Sequence, residues 1–465
     1  MNEKDIELYE VEEIIKKSKE FFETKQTLDV SFRINQLKKL RQAILDNEGK
    51  LIDALQSDLG KNPFESYATE IGFVLQSITY TIKNLSKWTK IKKVSSPIAL
   101  FPAKSYIRHE PYGTVLIIGP FNYPFQLLIE PLIGAIAAGN CAVLKPSELV
   151  PAVSKTVTEM ISATFDPSFV CIVEGGVETN KALLQGKFDY IFFTGSPAVG
   201  KLVMKAAAEN LVPVTLELGG KSPAIVDETA DIKLAADKII WGKTVNAGQT
   251  CVAPDYVLVH ERIKDELIEE MKKTITRFYG ESVERSEHFG RIVNMRHFAR
   301  LQQIMKAEEG SIVHGGGGKE DERFLEPTII SADWDSPSMQ DEIFGPILPI
   351  IGYSEKRAAV KKVTSMPKAL AMYIFTQNKM EEEYWLNTVP SGGVSINDTL
   401  THLANPNLPF GGVGTSGIGS YHGIYSFEAF SHKRSVLKRG KSLKMTDLFP
   451  PYTDQQLKLV RRFLK

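Results

Sequence analysis

Up to about Lys90 the apolar residues recur at helical spacing. Leu8, Val11, Ile15 and Phe22 share one face; Val30, Ile34, Leu37 and Ile44 share another; Tyr67, Ile71, Ile78, Ile82 and Leu85 share a third. A 3.6-residue period predicts amphipathic helices laid against something larger. Asp29 is placed to cap one of them, and Gly60, ahead of Pro63, to stop one. From 94 to 112 the period vanishes. Ser95-Ser96-Pro97 and Phe101-Pro102 break the chain, and 104–109 alternates, which predicts an extended, hairpin-like arm.

Beyond the arm come short runs that are apolar at every position: 113–120, 142–144, 170–173 and 190–193. Such runs predict strands buried on both faces. An apolar helix from about 126 to 138 separates the first two. Strand and helix in alternation predict the α/β class, with an open, parallel, Rossmann-like sheet. Ligands of such sheets bind beyond the carboxyl ends of the strands, where Asn122, Lys145, Glu148, Gly195 and Ser196 fall. A second α/β pattern opens near Glu217, with strands at 223–226, 256–259, 371–376 and 393–396 and a helix over 264–278. At about 150 residues per domain, 465 residues leave room for two or three lobes.

Charge narrows the partners. Lys+Arg 56 balances Asp+Glu 56, so the basic excess that nucleic acid or anionic lipid would favour is missing. No apolar run is long enough to span a membrane, and the charged start Met1-Asn2-Glu3-Lys4-Asp5 lacks a signal core. These features predict a cytoplasmic protein with no integral membrane anchor and no nucleic-acid partner. Three cysteines, an odd number, fit a reducing compartment. Cys141 and Cys171 sit in apolar runs and read as small hydrophobes. The eight histidines show no ligand spacing, so no metal site is expected.

Cys251 is different. It ends the turn Asn246-Ala247-Gly248-Gln249-Thr250-Cys251, whose polar residues predict an approach from solvent. To attack carbon it needs the thiolate, scarce at neutral pH with an ordinary pKa near about 8.5; a helix N-terminus or a cation would enrich it. An inert buried cysteine is the competing reading. Glu217 lies in an apolar segment followed by two glycines, which suits a partly buried general base; an ion pair with Lys221 is the competing reading. Gly195-Ser196-Pro197-Ala198-Val199-Gly200 follows a strand and opens a helix, so it suits a phosphate or is a plain turn. The GxGxxG match at 412–417 follows no strand and carries little weight. Gly220-Lys221-Ser222 is no P-loop, because the upstream glycine position holds Thr215.

Seven motifs occur in order: Gly119-Pro120-Phe121-Asn122-Tyr123-Pro124, Lys145-Pro146-Ser147-Glu148, Phe193-Thr194-Gly195-Ser196 with Val199-Gly200, the run 216–223, Gly248-Gln249-Thr250-Cys251, Glu342-Ile343-Phe344-Gly345-Pro346, and 408–419 with Ser420-Tyr421-His422-Gly423. Through them, from about 30 to about 440, the chain resembles the NAD(P)-dependent aldehyde dehydrogenases, above all the class 3 branch of fatty and aromatic aldehyde dehydrogenases. The resemblance implies that Cys251 is the nucleophile, Asn122 an oxyanion donor and Glu217 the general base. It places Lys145 and Glu148 near the adenosine ribose, Gly195, Ser196 and Gly200 at the diphosphate, and Glu342 and Phe344 at the nicotinamide ribose and ring. It implies a cofactor-binding domain (1–93 and 113–216), a catalytic domain (217–408), a bridging arm (94–112 and 430–440) and a C-terminal tail (441–465).

The implied reaction passes through a thiohemiacetal and a thioester on Cys251, hydrolysed by water that Glu217 activates. Its substrate is a small-molecule aldehyde, medium or long aliphatic or aromatic; its cofactor is NAD, with NADP possible; its assembly is a homodimer. Phe121 departs from the tryptophan common in relatives. Glu217 favours hydrolysis over transfer of the acyl group to coenzyme A. A cysteine hydrolase would need a histidine beside Cys251, and a non-catalytic protein would not need Cys251, Asn122 and Glu217 together. The basic, amphipathic segment 457–465 is expected to dock on its own fold or a second subunit rather than on a membrane.

Overall fold

The computed structural model describes residues 5–97, 100, 102–439 and 449–463. The expected helical layer is α1 (Leu8–Glu23), α2 (Val30–Asp46), α3 (Glu48–Leu59), the single turn α4 (Pro63–Ser66) and α5 (Gly72–Trp88). Asp29 caps α2 by accepting from Ser31 N at 3.0 Å, and Gly60 ends α3 with φ +63°. Between α4 and α5 runs a π turn, Tyr67–Ile71.

The arm consists of β1 (Lys92–Val94) and β2 (Lys104–Pro111), antiparallel to each other. The first sheet is then laid down by β3 (Thr114–Ile118), α6 (Gln126–Ala138), β4 (Cys141–Lys145), α7 (Pro151–Thr164), β5 (Val170–Ile172), α8 (Val177–Gln185), β6 (Tyr190–Gly195), α9 (Pro197–Glu209) and β7 (Val214–Leu218). In β3 the side chains alternate. Val115 and Ile117 pack with the layer of α2, α3, α5, α6 and α7, whereas Leu116 and Ile118 pack with α1, α8 and α9. Helices therefore cover both faces, which is why the strands read as unbroken apolar runs.

The second sheet uses β8 (Pro223–Val226), α10 (Ile232–Thr244), β9 (Tyr256–His260), α11 (Lys264–Tyr279), α12 (Met295–Ala307), β10 (Ile312–His314), the small hairpin β11 (Gly318–Lys319) and β12 (Phe324–Leu325), β13 (Thr328–Ser331), β14 (Ile347–Tyr353), α13 (Lys356–Ser365), β15 (Ala369–Phe375), α14 (Lys379–Thr388) and β16 (Ser391–Ile396). Its strand order is β10-β13-β14-β9-β8-β15-β16. The chain closes with β17 (Gly417–Ile418), α15 (Ile424–Ala429), β18 (Ser431–Lys438) and α16 (Asp454–Phe463). β18 pairs with β2 along its whole length.

Two expectations are corrected. Glu217 does not open the second pattern: β7 lies parallel to β6, with Thr194 opposite Glu217, so Glu217 belongs to the first sheet, ordered β17-β7-β6-β3-β4-β5. The glycine run at 412–417 leads into the edge strand β17, whose Gly417 also faces Glu217. Of the two docking places expected for the tail, its own fold is not the one the described part uses, since Leu457 and Leu459 are exposed; a second subunit stands as the alternative. Of the tail and the expected bridging strand, 440–448 and 464–465 lie outside the described residues, as do 98, 99 and 101 of the arm and the start of the chain, 1–4. Among the described residues no helix is long and apolar enough to cross a membrane.

α6 and α15 touch through Gly134. A Cβ there would stand 2.8 Å from Ser426 Cβ and 3.1 Å from the Phe430 ring. Gly134→Leu is therefore expected to cost about 1–3 kcal/mol by overpacking, read as a lower urea midpoint with an unchanged slope.

Candidate active site

Cys251 follows a sharp 3-10 turn, Val245–Gly248, at the end of α10. Asn246 and Ala247 have φ of 54° and 52°, a left-handed conformation that costs an L-residue about 1–2 kcal/mol. At Gly248, φ +75°, a Cβ would lie 2.3 Å from Gly345 O. The bend is held by hydrogen bonds. Asn246 N donates to Glu65 Oε1 at 2.8 Å, and Asn246 Nδ2 donates to Asn122 O at 2.8 Å and Gln249 O at 3.1 Å. Gln249 Nε2 donates to Asn246 O and Arg291 O, and its Oε1 accepts from Val293 N at 2.9 Å. The polar run predicted as a solvent approach is thus buried scaffolding; Cys251 itself is half-buried.

The loop after β3, which bears Asn122, is tied to that turn. Tyr123 Oη and Thr250 Oγ1 are 2.8 Å apart. Lys61 Nζ donates to Asn122 O at 3.0 Å, pairs with Glu70 Oε1 and stands 4.1 Å above the Tyr123 ring. Glu70 Oε2 accepts from Phe125 N at 2.9 Å and Gln126 N at 3.2 Å, satisfying orphan donors at the start of α6. Glu70 comes from the π turn, a local insertion often found at working sites. Sequence reading missed Lys61, Glu65 and Glu70. The available signal was charge where the helical period calls for packing: Glu70 directly precedes core Ile71, and Lys61 sits between a helix stop and Pro63.

Three acidic groups share a dry centre. Burial first, then the Glu342 and Glu217 carboxylates, push the Cys251 thiol up to about 12. The neighbours that dominate are acids, not a cation that would enrich the thiolate. Burial pushes Glu217 well above the carboxylate range, and neither of its oxygens has a hydrogen-bond partner among the described residues. The ion pair with Lys221 is not formed, because Lys221 binds Asp255, Ser338 O and Asp341 O. Burial and then Asp255 raise Glu342 to about 8; its carboxylate lies so close to Gly219 that a Cβ there would collide with it. Phe344, φ +51°, sets its ring 5.7 Å from Phe121, which is 5.2 Å from His297. No imidazole hydrogen-bonds the Cys251 sulfur among the described residues, which leaves a Cys–His hydrolase without its base.

The remaining predicted residues gather at the carboxyl ends of β4 and β6. Buried Lys145 donates to Pro146 O at 2.6 Å and Glu148 Oε2 at 3.0 Å. Gly195 ends β6. Ser196 caps α9 by accepting from Val199 N at 3.4 Å. At Gly200 a Cβ would meet Leu218 Cδ2 at 2.6 Å, so glycine is needed to seat α9 on β7. An ammonium with a carboxylate beside it fits the hydroxyls of a ribose, and the N-terminus of α9 fits a diphosphate.

A family model described as the aldehyde dehydrogenase family matches residues 4–436. The chain belongs to the aldehyde dehydrogenase family. It is accordingly an NAD(P)-dependent enzyme that oxidises aldehydes to carboxylic acids. The 4,4'-diaponeurosporen-aldehyde dehydrogenase of Staphylococcus aureus (strain NCTC 8325 / PS 47) is 53% identical over 449 residues, 96% of this chain and 98% of that one. The dimeric NADP-preferring aldehyde dehydrogenase of Rattus norvegicus is 43% identical over 428 residues, 92% of this chain and 94% of that one. A solved substrate-bound state of Staphylococcus aureus AldH superposes with a TM-score of 0.96 at 52% identity, covering 98% of this chain and 99% of that one. NADP and NAD+ complexes occur among similar solved structures.

Lys61→Met is expected to cost about 3–5 kcal/mol by stranding buried Glu70, with Lys61→Met/Glu70→Gln recovering part of it; denaturant titration checks both. For Cys251, a thiol held near 12 should alkylate with iodoacetamide about tenfold faster per pH unit from about pH 7 to about pH 10. Levelling near about pH 8.5, seen by peptide mapping, would contradict it.

Proposed function

We propose that Cys251 is the nucleophile, Glu217 the general base and Asn122 an oxyanion donor in the oxidation of medium- or long-chain aliphatic or aromatic aldehydes. Glu217 carries this reading: it is buried, neither of its oxygens has a hydrogen-bond partner among the described residues, and its charge is felt by the Cys251 thiol. Burying a carboxyl without a partner destabilises a fold, so its presence beside a thiol points to chemistry. A relative 53% identical is named for 4,4'-diaponeurosporen-aldehyde, which supports a large substrate.

The Cys251 thiol loses its proton to solvent water, and the thiolate adds to the carbonyl carbon. Charge developing on oxygen is met by the Asn122 amide and the Cys251 N–H. The chemistry that NAD(P)+ supplies when bound is two-electron acceptance at its nicotinamide, which leaves the acyl group on sulfur as a thioester. Glu217 then removes a proton from water as the water oxygen attacks the thioester carbon; sulfur departs and the acid is released. A carboxylate of high proton affinity is a strong base once ionised, and an entering water supplies hydrogen bonds its oxygens lack. Lys145, Glu148, Gly195, Ser196 and Gly200 would hold the adenosine ribose and diphosphate, and Glu342 and Phe344 the nicotinamide ribose and ring. With Glu148 engaged by Lys145, both NAD and NADP are accepted.

The cofactor unit comprises 1–93 with 113–216 and runs on through β7, whose Glu217 and Leu218 pair with β6; the catalytic unit is the remainder of 217–408. The arm and β18 join two copies into a homodimer, in keeping with exposed Val94 and Leu437 and with the rat relative's name. Three free thiols suit a reducing cytoplasm.

An aldehyde panel from hexanal to tetradecanal with benzaldehyde, run with each cofactor and followed by cofactor absorbance, tests the reading. Cys251→Ser should abolish turnover while NAD+ binding persists. Asn122→Ala should lower kcat about 10²–10³-fold. Acyl-CoA in place of acid, when coenzyme A is present, would remove Glu217 from the base role.

A further inference from the structure

A second buried ion pair, Lys221 with Asp255, takes no part in the proposed chemistry. Its side chains are 8% and 5% exposed, and its hydrogen bonds converge on one short segment. Lys221 Nζ has three protons to donate. They go to Asp255 Oδ2, to Ser338 O at 2.9 Å and to Asp341 O at 3.0 Å. Asp255 Oδ1 accepts from Ile343 N at 3.0 Å. Ile343 O in turn accepts from Arg300 Nη2 of α12. The peptide groups on both sides of Ile343 are therefore held, one by a carboxylate and the other by a guanidinium.

The Ile343 side chain is fully buried in the core, whereas Glu342 and Phe344 beside it are half-buried. One buried side chain anchors the segment at a single point. Hydrogen bonds to the flanking peptide groups set the direction in which Glu342 and Phe344 project. Phe344 also has φ +51°, a conformation that a bulky residue keeps only where its surroundings enforce it. Lys221 stands four positions after Glu217, and Asp255 four after Cys251. The pair thus joins the segments bearing the proposed base and nucleophile to the segment bearing Glu342 and Phe344. A buried ammonium and carboxylate contribute little net stability, so geometry is what the pair supplies.

We propose that Lys221, Asp255 and Arg300 are positioning residues, which fix segment 341–344 so that Glu342 and Phe344 hold the nicotinamide end of the cofactor within reach of the carbon on Cys251. This rests on the reading that Glu342 and Phe344 contact the nicotinamide ribose and ring. Loosening the clamp lets that end drift, while the adenosine end, held at the carboxyl ends of β4 and β6, stays in place. A misplacement of about 1 Å at reacting atoms lowers a rate about 10²-fold.

The test uses Arg300→Met, which removes the donor to Ile343 O, and Lys221→Met. Two quantities are read. One is the single-turnover rate of cofactor reduction with limiting benzaldehyde and excess enzyme and NAD+. The other is the Kd for ADP, which lacks the nicotinamide and its ribose, measured by calorimetry; the ADP stoichiometry counts the folded enzyme. Both variants should lower the single-turnover rate per folded enzyme about 10²-fold, with the Kd for ADP within about twofold of wild type. A lower unfolding midpoint with an unchanged rate per folded enzyme, or loss of ADP binding in step with the rate, overturns the clamp. Should Lys221→Met fail to fold, Arg300→Met alone decides. Glu342→Gln and Phe344→Ala test the underlying reading separately: wild-type single-turnover rates in both would overturn it, whatever the clamp variants do.

Discussion

A buried ammonium, Lys61 Nζ, sits between the π turn bearing Glu70 and the loop bearing Asn122 and the ring of Tyr123. Taking that charge out of water is expensive, and the structure offsets it with a carboxylate, a carbonyl and an aromatic face. Glu70 is bound in turn to two backbone N–H groups of α6. Asn122 O receives a second donor from Asn246, and Asn246 belongs to the strained turn before Cys251. One electrostatic knot therefore fixes the amide and the thiol relative to each other, although 129 positions separate Asn122 from Cys251 in the sequence. The left-handed Asn246 and Ala247 persist because so many hydrogen bonds converge on them.

The proposed reacting centre differs. Around Lys61 the charges are paired; at Glu217 neither oxygen has a hydrogen-bond partner among the described residues. Proton affinities follow the same division, since Cys251, Glu217 and Glu342 are all driven toward their uncharged forms.

Much of the architecture could be read from residue patterns. Strands covered on both faces leave continuous apolar runs, so β3, β4, β6, β8 and β9 were visible before any coordinates. Strand partnership was not: nothing in Val214–Leu218 says that it pairs with β6 rather than opening the next sheet, because pairing is decided by register between distant segments. The discounted glycine run at 412–417 leads into an edge strand for the same reason. Motif order brought together Cys251, Glu217, Glu342 and the residues at the ends of β4 and β6. The approach to Cys251 was misjudged, because polar neighbours in sequence, Asn246, Gln249 and Thr250, turn inward instead of lining an entrance from solvent. The knot of Lys61, Glu65 and Glu70 escaped notice since charged residues on a helical stretch ordinarily face solvent.

The high proton affinity of Cys251 has a consequence for durability. Peroxides and other oxidants attack sulfur in its anionic form. A thiol kept protonated is less open to sulfenic and sulfinic acid formation. A small ionised fraction thus acts as a safety catch against oxidants, one the fold sets first by burial and then by the carboxylates of Glu342 and Glu217.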